Sequence, residues 1–154
     1  MKKRVSALLA ATALMTLTLA GQASALSAAD TAADGVRDTS AVRIKATQIL
    51  QAPAVLERGQ SWSSDTATLV MQTDGNLVVY DEFGRARWNT GTVNQGWQAV
   101  FQTDGNFVVY TRSGKAVWDS KTAGHPGSRL AVQDDGNVVI YDGSQAIWNT
   151  RTAH

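Results

Sequence analysis

Apolar residues fall along this chain in two regimes. Val5 to Ala20 form one short apolar run directly behind Met-Lys-Lys-Arg. From about Thr47 onward they come in short runs, such as Ala67 to Gln72, Asn76 to Asp81 and Arg85 to Thr90, rich in Val, Leu, Tyr and Trp. No window there carries a helical period, so the runs predict strands. Strand alternation sets Asn76, Val78 and Tyr80 on one face, with Leu77 and Val79 on the other. Asp74-Gly75-Asn76 separates the first two runs and Phe83-Gly84 the next two. Both are turn signals, because Gly takes positive φ without steric cost.

The pattern repeats. MQTDGNLVVY ends at Tyr80, FQTDGNFVVY at Tyr110 and VQDDGNVVIY at Tyr141. Gln72, Gln102 and Gln133 lie 30 and 31 residues apart, and Trp88, Trp118 and Trp148 follow at an even 30. The segments ARWNT, AVWDS and AIWNT surround those tryptophans. Three units of about 30 residues therefore fill the chain from about Thr47 to the end. Three antiparallel strands per unit, with Ile49-Leu50 and Val55-Leu56 opening the set, predict about twelve strands. One unit cannot bury its own apolar face, so the three must pack together. Trp88, Trp118 and Trp148 are expected to fill the shared centre. Ala86, Ala116 and Ala146, two residues earlier on the same strand face, are expected to leave room for them. The alternative is a set of exposed platforms for stacking sugars. Trp62 and Trp97 stand outside the period and receive no place from it.

The first segment has a different chemistry. A positive start, a short apolar core and the A-x-A exit at Ala23-Ser24-Ala25 predict a signal peptide over residues 1–25, cleaved after Ala25, and a secreted protein without membrane insertion. Residues 26–46, mostly Ala, Asp, Thr and Ser, are too poor in large apolar groups to bury much surface and predict a disordered or helical arm. The repeat domain is expected over 47–154. Lys+Arg total 14 against 13 Asp+Glu, and cleavage removes Lys2, Lys3 and Arg4. Neither balance supplies a basic field for nucleic acid. The chain has no cysteine and only two histidines, His125 and His154, which excludes thiolate metal sites and leaves little for a metal cofactor or a histidine base.

Each unit carries Gln-x-Asp-x-Asn-x-Val-x-Tyr. The residues are Gln72, Asp74, Asn76, Val78 and Tyr80; Gln102, Asp104, Asn106, Val108 and Tyr110; and Gln133, Asp135, Asn137, Val139 and Tyr141. The turn brings Gln72 back beside Asn76, Val78 and Tyr80, so five side chains converge on one patch. A carboxylate, two amides, a phenol and an apolar contact suit a sugar, whose hydroxyls donate and accept while its ring carbons present C–H. Turn and strand chemistry alone would also account for Asp-Gly-Asn, Val and Tyr, and least for Gln. No nucleophile–base pair accompanies the patch, so no enzyme is expected. Asp74, Asp104 and Asp135 belong to separate units and are not placed to act as an acid–base pair.

The motif, three times at this spacing, resembles the monocot (bulb-type) mannose-binding lectins and their bacterial secreted relatives. The likeness runs from about Thr47 to His154 and includes ILQAPAVLERGQSW and the WNT-type ends. It implies an all-β fold, a β-prism II of three antiparallel four-stranded sheets around a pseudo-threefold axis with tryptophans inside. It also implies that Asp74 and Asn76 take the axial 2-hydroxyl of mannose, Gln72 the 3-hydroxyl and Tyr80 the 4-hydroxyl, with Val78 against ring carbons. The matching residues of the other units would do the same, without metal. Plant members carry a disulfide, which this chain lacks, and often exchange their C-terminal strand to form dimers. Ile147 to Thr150 is the segment such a homodimer would exchange. The expected function is a secreted lectin for mannose-rich glycans or cell-surface polysaccharide. The alternatives are a lectin-like bacteriocin using the same sites, and a prism kept as an inert structural module.

Overall fold

The computed structural model describes residues 46–154; the expected signal peptide and the expected arm, up to residue 45, lie outside the described residues. Twelve strands follow in order: β1 (Gln48–Gln51), β2 (Ala54–Glu57), β3 (Ser61–Ser63), β4 (Ala67–Met71), β5 (Leu77–Asp81), β6 (Ala86–Asn89), β7 (Gln98–Phe101), β8 (Phe107–Tyr110), β9 (Ala116–Asp119), β10 (Arg129–Val132), β11 (Val138–Asp142) and β12 (Gln145–Asn149). They form three four-stranded sheets ordered β3-β4-β5-β6, β2-β7-β8-β9 and β1-β10-β11-β12. Every ladder is antiparallel. Each unit supplies a three-stranded meander, and the N-terminal segment adds one strand to each in reverse order. β3 completes the first sheet, β2 the second and β1 the third. β12 pairs with β11 of its own unit. Among the described residues no helix is long and apolar enough to cross a membrane.

The registers stack the inward residues in four triplets. Trp62 pairs with Leu69, Leu69 with Val79 and Val79 with Trp88. The second sheet matches this with Leu56, Ala99, Val109 and Trp118, and the third with Leu50, Leu130, Ile140 and Trp148. Trp88, Trp118 and Trp148 meet edge to face, with centroids 5.5, 5.6 and 5.8 Å apart. Such pairs contribute about 0.5–1.5 kcal/mol each beyond area burial. A second inward column adds Met71 against Leu77, Phe101 against Phe107, and Val132 against Val138. The small Ala99 sits in the sheet that carries both buried phenylalanines, so volume lost at one position returns at its neighbours. Phe107 reaches Trp62 and Trp118 at 6.2 and 6.1 Å and ties the two end layers together.

The three tryptophans meet one another as expected, though half-buried against the core rather than enclosed in it, and the alanine argument is overturned. Ala86, Ala116 and Ala146 are exposed. A β-bulge lies between Val79 and Tyr80, and again at Val109/Tyr110 and Ile140/Tyr141. It inserts Arg87, Val117 or Ile147 between the alanine and the tryptophan, so the two no longer share a face. Trp62, unplaced by the sequence, is the inward residue of β3.

Candidate functional site

The motif turn is built the same way three times. Gln72 N–H donates to Asn76 O (2.9 Å) and Gly75 N–H to Gln72 O (3.0 Å), with matching bonds at Gln102–Asn106 and Gln133–Asn137. This is a three-residue hairpin loop whose glycine takes the left-handed position, at φ +94° for Gly75. A side chain is also excluded there by packing. A Cβ on Gly75 would lie 2.7 Å from Gly96 O, and one on Gly105 or Gly136 would collide with His125 O or the His154 ring.

On this frame the polar residues divide their valences. Asp74 Oδ1 accepts Asn76 N–H at 2.9 Å, as do Asp104 and Asp135 from Asn106 and Asn137. Gln72 Nε2 donates to Tyr80 OH at 2.6 Å, Gln102 to Tyr110 at 2.5 Å and Gln133 to Tyr141 at 2.8 Å. Asn76 Oδ1 accepts from Thr90 Oγ1 (3.2 Å) and Thr92 N–H (3.1 Å), while Thr92 Oγ1 donates to Gly75 O (2.8 Å). Ser120 and Thr122 hold Asn106 in the same manner, and Thr150 and Thr152 hold Asn137. These hydroxyl pairs were missed by sequence reasoning. Their signal is the Trp-x-Ser/Thr-x-Thr ending common to WNTGT, WDSKT and WNTRT.

All five residues of each copy therefore share the outer face of their sheet. Gln Oε1, Asp Oδ2, the Tyr O–H and an Asn N–H have no protein partner and face solvent; among the described residues the buried side-chain atom without a partner is Asp134 Oδ1. Val78, Val108 and Val139, only 2–3% exposed, form the floor and offer a ligand little more than their outer edge.

The three surroundings differ. Beside Val78 lie Val70 and Ser61; beside Val108, Val100 and Val55; beside Val139, Ala131 and Ile49. Pro53, Val100, Gln102, Thr103 and Asp104 line a shallow, open hollow of about 370 Å³ in the second copy. There, too, Asn106 Nδ2 donates to Asp119 Oδ2 at 3.0 Å, where the first copy has Asn89 at 3.5 Å. The Asn106 amide, and next Lys121 at 2.9 Å, hold the Asp119 carboxyl below its ordinary value. In the third copy the Arg129 guanidinium lies 4.9 Å over the Tyr141 ring. No group of three or more acidic or histidine side chains among the described residues is placed to hold a metal.

Neither protein-family models nor curated proteins match the chain. Solved structures do. A monomeric monocot mannose-binding lectin from Gastrodia elata is 38% identical with a TM-score of 0.62, over 69% of this chain and 98% of that one. The mannose-specific agglutinin of snowdrop (Galanthus nivalis) bulbs, solved with methyl-α-D-mannoside, is 37% identical with a TM-score of 0.57, over 69% and 97%. A Marasmius oreades lectin is 31% identical with a TM-score of 0.64, over 69% and 93%. The shared length is the whole three-sheet prism, and with it this chain belongs to the monocot (bulb-type) mannose-binding lectin family, with the β-prism II fold.

Proposed function

We propose that the protein is an exported lectin that binds mannose or mannose-rich glycans through up to three metal-independent sites, one on each sheet. One observation carries this reading. Each copy leaves the same set of free valences on its outer face: Gln Oε1, Asp Oδ2, an Asn N–H and a Tyr O–H over a valine floor. Acceptors alternate with donors there, which is what vicinal hydroxyls require. In the family's mode the Asp–Asn pair takes the axial 2-hydroxyl. An equatorial epimer would leave that pair partly unsatisfied, at a cost in free energy. Mannose specificity in the snowdrop relative supports the same assignment here. The predicted leader supports export.

Four or five hydrogen bonds, each worth about 0.5–1.5 kcal/mol net, less the cost of association, give about millimolar affinity per site. Three sites on one body raise avidity by about 10²–10⁴ on a polyvalent surface. The natural targets are therefore mannan-like or high-mannose surfaces rather than free sugar. The three motif carboxylates belong to three separate sheets, which supports binding rather than catalysis.

The test is retention of residues 26–154 on mannose–agarose in EDTA, with elution by free mannose. Asp74→Asn, Asp104→Asn and Asp135→Asn together keep the turn acceptor but remove the charged one, and are expected to abolish retention with the fold intact. Retention of that folded variant, or failure of the unaltered protein to bind, sinks the reading.

A further inference from the structure

The loop after each unit's last strand covers that unit's motif turn and reaches the hairpin turn of the next sheet. At two of these three junctions a histidine meets an acid. His125 Nδ1 lies 2.8 Å from Asp142 Oδ2 between the second and third sheets, and His154 Nε2 lies 2.8 Å from Glu82 Oε2 between the third and first. The junction of the first and second sheets departs from this pattern. Arg112 stands two residues after Tyr110, where Glu82 stands two residues after Tyr80, so a cation replaces the acid. A second cation arrives from the β2–β3 turn: Arg58 Nε and Nη2 donate to Gly96 O at 2.9 and 2.5 Å.

Both arginines lie against Trp97, 37% exposed, with the guanidinium carbons 4.8 and 5.0 Å from its ring centroid. Together with Asn94, Gln95, Thr111 and Ser113 they line a hollow of about 500 Å³. No acidic side chain lines it, and among the described residues neither guanidinium is in an ion pair. The indole face offsets part of the repulsion between the two cations. An anion is the missing partner, and guanidinium forks hold planar or tetrahedral oxyanions with paired N–H donors.

We propose that this hollow binds an anionic substituent of a saccharide, a carboxylate or a sulfate or phosphate ester. Its walls abut two sugar sites, since Asn94 N–H donates to Asp74 O and Trp97 N–H to Tyr110 O, both at 2.6 Å. An acidic polysaccharide can therefore engage the hollow while a neutral residue of the same chain occupies an adjacent site. The saccharide part of this proposal rests on the lectin reading; the anion part does not.

The test titrates the protein at low salt with manno-oligosaccharide carrying one uronate residue, with sulfated manno-oligosaccharide and with neutral manno-oligosaccharide of equal length, following the Trp97 indole N–H resonance by NMR. At least one acidic ligand is expected to bind about tenfold more tightly than the neutral one and to shift that resonance, with the margin shrinking as salt rises. Comparing the two acidic ligands tells which oxyanion is preferred. Arg112→Gln is expected to erase the margin and leave retention on mannose–agarose unchanged, since among the described residues the Arg112 guanidinium makes no hydrogen bond. Absence of a margin in the unaltered protein, or its persistence in Arg112→Gln, overturns the proposal. A shifted Trp97 resonance with no neutral binding at all would instead refute the mannose reading and leave the anion site standing.

Discussion

The two faces of β5, β8 and β11 are built on opposite principles. Inward, the three copies agree only in being apolar: Leu77, Phe107 and Val138 are equivalent, as are Val79, Val109 and Ile140. Outward they agree in identity: Gln, Asp, Asn, Val and Tyr recur unchanged. A core asks for volume, and a change at one site can be absorbed at a neighbour, as Ala99 with Phe101 and Phe107 shows. Hydrogen-bonding atoms allow no such exchange, because an amide or carboxylate must stand at one position with one set of partners. Part of that outward identity is structural, since the asparagine carbonyl also anchors the loop after β6, β9 or β12.

The contrast can be broken by experiment, with the largest effect expected inside. Phe107→Ala removes a fully buried ring and is expected to cost about 3–5 kcal/mol in denaturant unfolding. Ala99→Leu overpacks the neighbouring layer of the same sheet and is expected to cost about 1–3 kcal/mol. Combined with Phe107→Leu, which gives the second sheet the leucine pair of the first, it is expected to cost less than the sum of the two single changes. Strict additivity would show that the layers do not compensate.

Outer-face changes should be milder for stability and harsher for binding. Asn106→Ala strips the acceptor from Thr122 N–H and the Ser120 hydroxyl in a buried setting. About 1–3 kcal/mol of destabilisation is expected, together with loss of the proposed second sugar site. Tyr110→Phe removes one phenol that accepts from Gln102, and a loss of no more than about 0.5–1.5 kcal/mol is expected while sugar binding at that copy falls. If Tyr110→Phe proved as destabilising as Phe107→Ala, the outer face would be structural and the contrast would collapse.

The smallest effect lies at the junction of the third and first sheets. Thr152 O, and then the Glu82 carboxylate, raise the pKa of His154 above its usual 6.5, while the His154 bond holds Glu82 below its usual 4.5. The histidine's contribution is complete below pH 6.5 and fades as pH rises through its raised value. The carboxylate's contribution is complete above pH 4.5 and fades as pH falls through its lowered value. Melting temperature should therefore peak between those limits, and Glu82→Gln should remove the acid-side fall and lessen the alkaline-side one, because Thr152 O still raises His154.

Much of this architecture was legible in the chain because strand period, turn glycine and repeat are local signals. The β5, β8 and β11 faces followed from alternation alone, and the tryptophan triplet from its even spacing. What the sequence left unread has three separate causes. β3 is too short to form a run, so Trp62 had no visible strand. The bulge adds a residue that a period of two cannot register, so Ala86 was set on the tryptophan face. The Thr90–Thr92 clasp on Asn76 and the arginines around Trp97 depend on segments distant in sequence.

By itself, then, the sequence determined three like units, their strands, their turns and the residues on each outer face, because these depend on contacts between near neighbours. Only the tertiary structure decided which N-terminal strand completes which sheet and how the core shares its volume. It also decided which polar atoms the fold consumes and where two arginines meet one indole, because each requires segments from different units to be brought to contact distance around a common axis.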